Sequence, residues 1–93
     1  MVNVLLIHPD DTVAVALRDL AAGEAVSASD NQVTAVVACE PVPFGHKVAV
    51  HGIAAGEQVL KYGAGIGVAT RDIAPGEHVH THNLASVRGA VQR

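Results

Sequence analysis

Residues 73–79 have the sequence Ile-Ala-Pro-Gly-Glu-His-Val, and the same pattern occurs twice earlier, as Leu-Ala-Ala-Gly-Glu-Ala-Val at 20–26 and as Ile-Ala-Ala-Gly-Glu-Gln-Val at 53–59. Pro75 fixes φ at about −65° and suits the second position of a tight turn, and Gly76 can take the positive φ that the third position of a type II turn requires. The repeat therefore predicts three turns, each leading into a β-strand. The copies are unevenly spaced, which disfavours a solenoid and favours a compact β domain that reuses one turn.

The segment 12–23 is ambiguous when it is considered alone. Its apolar residues have helical spacing between Asp11, which could cap a helix, and Gly23, which could end one. The repeat overrides this, because Gly23 belongs to a turn that leads into a strand, so we predict a strand over 13–17. Other apolar runs, separated by glycine and proline, predict further strands at 3–7, 32–39, 47–50, 59–62 and 66–69, with a glycine loop at 63–65.

Composition excludes several classes of protein. The 93 residues suffice for one domain with a modest core, and the apolar content of 49% is mostly alanine and valine. A net charge of −3, no basic cluster, and one tyrosine with one phenylalanine argue against nucleic-acid binding. No apolar run is long enough to span a membrane and no signal peptide is evident, so we expect a cytoplasmic protein. The single cysteine, Cys39, is expected to be a buried small hydrophobe.

Three histidines occur at alternate positions in the sequence Gly-Glu-His-Val-His-Thr-His-Asn at 76–83. On a β-strand, His78, His80 and His82 would project to one side, with Val79 and Thr81 on the other. A row of neutral imidazoles can bind a divalent metal, shuttle protons or contact an acidic substrate. The alternative is an ordinary polar strand face exposed to solvent. Spacing alone does not decide between these two.

Several segments taken together resemble a known family. The run Phe-Gly-His-Lys-Val-Ala at 44–49, the repeat at 53–57, Lys-Tyr-Gly at 61–63 and the stretch 72–84 resemble the amino-terminal SAF domain of the altronate/galactarate dehydratase family, as does the opening His-Pro-Asp-Asp at 8–11. The resemblance covers nearly the whole chain. It implies a small single-domain β-clip fold of short, mostly antiparallel strands, here a SAF domain at 1–87 and a tail at 88–93. The same domain also resembles the separate small subunit of sulfolactate sulfo-lyase.

Family enzymes remove water from sugar acids and depend on a divalent metal, typically iron(II), with most of the catalytic apparatus in a larger region that this chain lacks. The resemblance thus implies a small subunit or amino-terminal domain of a dehydratase or related lyase, inactive alone, that completes the active site of a large catalytic partner acting on a sugar acid or hydroxy acid. A homo-oligomer is compatible with this view.

Site residues follow from the same resemblance together with the histidine spacing. We expect His46, His80 and His82 to be catalytic, with His80 and His82 also ligating the metal, and Lys47 and Asn83 to contact the substrate. A role for His78 has weaker support, because alanine and glutamine occupy its position in the other copies of the repeat. The repeat glutamates are expected to be structural, as are His8 and His51 in turns.

Two other functions are compatible with the fold. Related SAF domains occur in sialic acid synthases, antifreeze-type proteins and pilus or flagellar assembly proteins, so the chain could be a non-catalytic module that binds carbohydrate or protein. The histidine row and the neighbouring Gly-His-Lys at 45–47 favour the enzyme. An autonomous metal-binding protein would need a complete ligand set, and few cysteines or carboxylates lie near the histidines in sequence.

Overall fold

A computed structural model describes residues 2–29, 33 and 35–86 of the chain. These residues form short strands in two antiparallel sheets and contain no α-helix, which confirms the mainly β fold. Residues 13–16 are a strand, so the helix that local spacing allowed is absent. The strands are β1 Val4–Leu5, β2 Val13–Ala16, β3 Lys47–Ala49, β4 Gln58–Lys61, β5 Ala64–Ala69, β6 His78–Val79 and β7 Leu84–Ser86.

The four-stranded sheet has the order β1-β2-β3-β6 and lies between two apolar clusters. Because successive side chains of a strand point to opposite faces, neighbouring residues of β2 and β3 enter different clusters. The first cluster contains Val4, Ala14 and Val48, and the second contains Val13, Ala49 and Val79. Both faces of a thin sheet are therefore covered, which suits a sequence rich in small apolar side chains.

The three-stranded sheet, β4-β5-β7, covers the second cluster with Val59 and Ala69. Its hairpin turns at Tyr62 and Gly63, whose φ values of 57° and 76° are typical of a two-residue type I′ turn. The buried carboxylate of Asp11 accepts hydrogen bonds from the backbone N–H groups of both turn residues, at 2.8 and 2.7 Å. The predicted loop at 63–65 is therefore too long, because β5 begins at Ala64.

The three copies of the repeat make the same backbone contacts. In each, the Glu N–H donates to the Ala three residues earlier, closing the predicted turn, and the Gly has a φ between 86° and 93°. The Gly N–H of each turn donates to the carbonyl of a distant alanine, whose own N–H donates back to the Glu carbonyl. All three of these alanines are buried, so each turn holds one strand segment of small residues against the core. The pairs are Gly23 with Ala38, Gly56 with Ala69 and Gly76 with Ala49.

The repeat glutamates have the structural role expected of them in two copies. The side chains of Glu24 and Glu57 accept hydrogen bonds from the backbone N–H groups of Ala21 and Ala54, the residues that begin their turns. The bond from Ala21, followed by the contact with the Arg18 guanidinium, holds the pKa of Glu24 below its usual value. In these two copies the glutamate therefore makes a second hydrogen bond across the turn, through its side chain, in addition to the one that its backbone N–H donates.

Three sequence predictions need correction or lie partly or wholly outside the described residues. Cys39 is exposed, so the prediction of a buried cysteine is wrong. The predicted strand 32–39 includes residues outside the described part, and what is described of it contains only an isolated bridge between Ala25 and Val37. The predicted tail 88–93 lies wholly outside the described residues. Within them, no helix is long and apolar enough to cross a membrane.

Candidate functional site

Four histidines lie together where β3 begins and β6 ends. The antiparallel register pairs Lys47 with Val79 and Val48 with His78, and extending it by one residue sets His46 opposite His80. The backbone of His46 is held on both sides, since its N–H donates to the Pro43 carbonyl at 3.0 Å and its carbonyl accepts from Ala16 at 2.8 Å. Strand pairing therefore brings together histidines that are 32 positions apart in the sequence.

The three histidines of 78–82 do not form the single strand row that their spacing suggested. β6 ends at Val79, and the chain then enters a tight turn in which the Asn83 N–H donates to the His80 carbonyl at 3.1 Å. Their rings nevertheless remain close, because the turn curls His82 back toward His78, with ring centroids 5.5 Å apart. We call His46, His78, His80 and His82 the histidine cluster.

His78 is the central member of the histidine cluster. Its Nε2 lies 2.9 Å from Nδ1 of His46, a hydrogen-bond distance, and its ring centroid is 5.6 Å from that of His80. His46 and His80 are stacked, with centroids 4.6 Å apart and ring planes inclined by 15°. His82 is exposed, whereas the other three are half-buried. The structure thus unites the three histidines predicted to be catalytic and adds His78, to which sequence gave the weakest role.

Burial lowers the pKa of His78, and the nearby His46 and His82 lower it further because protonated imidazoles repel. The carboxylate of Glu40 acts in the opposite direction and raises it by a smaller amount. Below neutral pH, His78 therefore keeps its neutral form longer than an exposed histidine does. A neutral imidazole can accept a proton, so the centre of the cluster is suited to act as a base.

Glu40 is a neighbour of the site that the sequence did not indicate. Its half-buried side chain accepts a hydrogen bond from the backbone N–H of His78 at 3.1 Å. The residue lies 38 positions before His78, and no motif distinguishes it from other acidic residues. Only the approach of residues 37–39 to the third turn, where the Cys39 N–H donates to the Gly76 carbonyl at 2.8 Å, places this carboxylate beside the cluster.

Lys47 and Asn83 are placed differently from the histidines. Because side chains alternate along β3, Lys47 projects from the opposite face to His46. Burial lowers the pKa of Lys47, with a further contribution from Lys61. Asn83 is fully buried, and its side-chain amide bonds the backbone at His78 and His80. Substrate contact by these two residues stays a prediction, while Asn83 has a clear structural contact with the cluster.

The donor atoms of the histidine cluster fit part of a metal site. Imidazole nitrogen is a common ligand of iron and zinc. In the described part of the chain, however, no three histidine, cysteine, aspartate or glutamate side chains are arranged to hold one ion. The predicted ligands His80 and His82 could thus supply at most a share of a coordination sphere.

Comparison with known proteins gives a consistent set of relatives. The family model for the altronate/galactarate dehydratase SAF domain matches residues 2–87. Altronate dehydratase of Escherichia coli (strain K12) is 54% identical over 77 residues, which make up 83% of this chain and 15% of that protein. Altronate dehydratase of Bacillus subtilis (strain 168) is 37% identical over 92 residues, 99% of this chain and 18% of that protein.

A third relative is much shorter. The (2R)-sulfolactate sulfo-lyase subunit alpha of Paracoccus pantotrophus is 43% identical over 63 residues, which make up 68% of this chain and 94% of that subunit. The chain therefore spans less than a fifth of the altronate dehydratases but corresponds to nearly all of the sulfo-lyase subunit.

Proposed function

This chain belongs to the family of altronate/galactarate dehydratase SAF domains, and we propose that it is the small domain or subunit that completes the active site of a larger dehydratase or lyase. The resemblance found in the sequence is thereby confirmed at the level of the family. In the two altronate dehydratases the matching segment is a small part of one long chain, and in the sulfo-lyase it is a subunit of its own. Both arrangements support a large catalytic partner, and we propose that the pair works in the cytoplasm.

The observation that carries the proposal is the histidine cluster. Eliminating water from a hydroxy acid requires a base for the α-proton, an acid for the departing β-hydroxyl, and a fixed place for the carboxylate. The base removes a proton from the α-carbon, and the acid donates a proton to the β-hydroxyl, which leaves as water. Both proton transfers take place next to the substrate. Neighbouring imidazoles at hydrogen-bond distance, such as His46 and His78, can hold and pass such protons.

Each histidine has a place in this scheme. His78, kept neutral by its surroundings, is suited to hold a proton at Nδ1 or share one with His46. His80 stacks on His46, and His82 is the member most open to a partner. We propose that His80 and His82 contribute nitrogen ligands to a divalent metal, iron(II), whose remaining ligands come from the partner. Bound there, the metal would supply a Lewis acid for the leaving group.

The substrate is proposed to be a sugar acid or a related hydroxy acid. Its carboxylate needs a cationic or N–H-rich pocket, and the described residues of the cluster supply imidazoles but no lysine or arginine. Lys47 projects from the other face of β3, so the large partner would provide the main carboxylate contact. This division explains why the isolated chain would be inactive although it carries the proton-transfer groups.

A chimera tests this proposal. The matching segment of the Escherichia coli altronate dehydratase is replaced by this chain, and turnover of altronate is measured. We expect the chimera to be active, His46→Ala to lower kcat by about 100-fold or more, the usual share of acid–base catalysis, and His80→Ala or His82→Ala to lower kcat together with the metal content, because each removes a proposed ligand. His51→Ala is the matched control, because His51 is exposed and outside the cluster.

The alternative function, a non-catalytic SAF module that binds carbohydrate or protein, makes the opposite prediction. If the chimera is active and all four cluster histidines can be replaced by alanine without loss of kcat, the cluster is a polar surface and the chain acts by binding alone. An inactive chimera that is folded and metal-loaded would show that this SAF domain cannot complete that enzyme.

A further inference from the structure

Asn83 is buried completely and holds the turn that carries the histidines. Its Oδ1 accepts a hydrogen bond from the His80 N–H at 2.9 Å, and its Nδ2 donates to the His78 carbonyl at 2.9 Å. Its own N–H donates to the His80 carbonyl at 3.1 Å, and its carbonyl accepts from Thr70 at 3.0 Å. One residue thus ties the backbone at His78 and His80 to the neighbouring β5 region.

These bonds act where the strand ladder has ended. β6 is the edge strand of its sheet and stops at Val79, so the carbonyl of its residue His78 and the N–H of His80 just beyond it both bond outside that ladder. Buried backbone groups without partners are costly, and the Asn83 amide supplies the missing donor and acceptor. The direction of the His80 and His82 side chains depends on this turn, because the φ and ψ angles of 80–83 set where each imidazole points, whereas His78 is held by the pairing of β6 with β3.

Asn3 makes the same kind of bridge at a different place. Its Nδ2 donates to the Ala25 carbonyl at 2.8 Å and its Oδ1 accepts from the Ser27 N–H at 2.8 Å, again two residues apart. Asn3 is also buried, with 3% of its surface exposed. Substitution of Asn3 therefore removes a bridging asparagine outside the histidine cluster, and it serves as an internal control.

We propose that Asn83 is a positioning residue of the active site, which sets the imidazoles of the histidine cluster through the backbone and does not contact the substrate. This inference rests on the proposed function for its catalytic consequence, but the positioning itself is a property of the chain alone. The sequence predicted substrate contact for Asn83, whereas both ends of its amide are occupied by the turn.

The substitutions Asn83→Ala and Asn83→Asp separate shape from bonding. Aspartate has the same size and keeps an oxygen for the His80 N–H, but it puts a second oxygen against the His78 carbonyl, where the structure has a donor. Both variants should therefore release the turn, and Asn83→Asp should do so without leaving a cavity. Asn3→Ala and Asn3→Asp are the matched controls.

The first measurement uses the chain without a partner. Proton NMR of the imidazoles reports which rings lie close together, so the stacking of His80 on His46 and the approach of His82 to His78, with ring centroids 4.6 and 5.5 Å apart, should give a distinct signature. We expect this signature to be lost in both Asn83 variants and kept in both Asn3 variants. If the Asn83 variants keep it, Asn83 does not position the cluster and the inference is wrong, whatever the enzyme does.

The second measurement uses the altronate dehydratase chimera. We expect Asn83→Asp to lower kcat by about 10- to 100-fold, the usual effect of removing an orienting contact, with KM changed by less than about threefold. The Asn3 variants, which lose equivalent bonds, should keep kcat within about twofold. A rise in KM at unchanged kcat would overturn the inference in favour of substrate contact, and an equal fall in kcat for the Asn3 and Asn83 variants would reduce it to general destabilisation.

The two measurements distinguish failure of this inference from failure of the proposed function. If alanine at the cluster histidines leaves the chimera fully active, the proposed function fails, yet the NMR result still decides whether Asn83 positions the imidazoles. If the Asn83 substitutions leave the NMR signature intact while the histidine substitutions abolish turnover, the proposed function stands and this inference fails. Should Asn83→Ala not fold, the isosteric Asn83→Asp provides the decision.

Discussion

Replacing the turn glycines with alanine tests the link between the repeat and the fold, because the space beside the glycine differs between the three copies. Gly23, Gly56 and Gly76 have φ values of 88°, 86° and 93°, which cost an alanine about 1–2 kcal/mol. A Cβ on Gly23 or Gly56 would meet nothing within 4 Å. On Gly76 it would collide with the carbonyl of Val37 and approach Cys39 Sγ to 3.1 Å.

The segment that Gly76→Ala would displace cannot move freely. The Val36 carbonyl accepts from Val26 at 2.8 Å, and the Ala38 N–H donates to Glu24 at 2.8 Å. Overpacking of this kind costs about 1–3 kcal/mol in addition to the strain, so we expect Gly76→Ala to lower the free energy of unfolding by about 2–5 kcal/mol. That would be a large share of the stability of a small domain, which is about 5–15 kcal/mol.

The assay is urea and thermal unfolding of the three single variants beside the parent chain. We expect Gly23→Ala and Gly56→Ala to behave alike, each lowering Tm by about 5–15 °C, and Gly76→Ala to lower it at least about twice as far. Equal losses in all three variants would refute the argument from the Val37 contact. Losses below about 0.5 kcal/mol in all three would refute the requirement for positive φ itself.

Four further predictions concern the core, pH, metal binding and activity. Asp11→Ala should destabilise the chain by about 3 kcal/mol because the N–H groups of Tyr62 and Gly63 lose a charged acceptor, whereas Asp10→Ala, at an exposed position, should be nearly neutral in chemical unfolding. Since the pKa of His78 is lowered in the folded state, the unfolded chain binds more protons below about pH 6.5, and the free energy of unfolding should fall as pH drops through that region. His78→Gln should reduce this pH dependence, which thermal melts from pH 7.5 to 5 measure. The same change of stability with pH in the variant and the parent chain would contradict this prediction. Calorimetric titration of the chain alone with Zn²⁺ or Fe²⁺ should give a Kd weaker than about 1 μM, with binding lost below about pH 6 as imidazoles protonate, and nanomolar binding would show a complete site. The purified chain should not turn over altronate, galactarate or sulfolactate, and robust turnover without a partner would exclude the role of a subunit or domain.

The relatives differ in whether the matching segment is a separate subunit or part of a longer chain. In the sulfo-lyase relative the matching segment makes up nearly all of a subunit, while in the altronate dehydratase it is a small part of a much longer protein. Under the proposed function, the histidine cluster of this chain faces the larger part. His82 is exposed, and His46 and His80 are half-buried.

The amino-acid sequence by itself determined the turns and hence the class of fold. A glycine that must have positive φ, a proline or alanine before it and a glutamate after it form a local pattern of a few residues. Three copies of this pattern were enough to predict β structure and to reject the helix that local spacing allowed within 12–23. The same short segments, in the same order along the chain, account for the resemblance to the family.

Only the tertiary structure decided how the site is assembled. Which alanine each turn binds, where β6 ends, and which histidine lies at the centre all depend on contacts between residues that are distant in sequence. His46 meets His78 because β3 pairs with β6, and Glu40 reaches the same place because its segment crosses the third turn. Asn83 is buried because the turn after Val79 needs its amide. Such pairings are set by burial summed over the whole core, and no short stretch of sequence contains that sum.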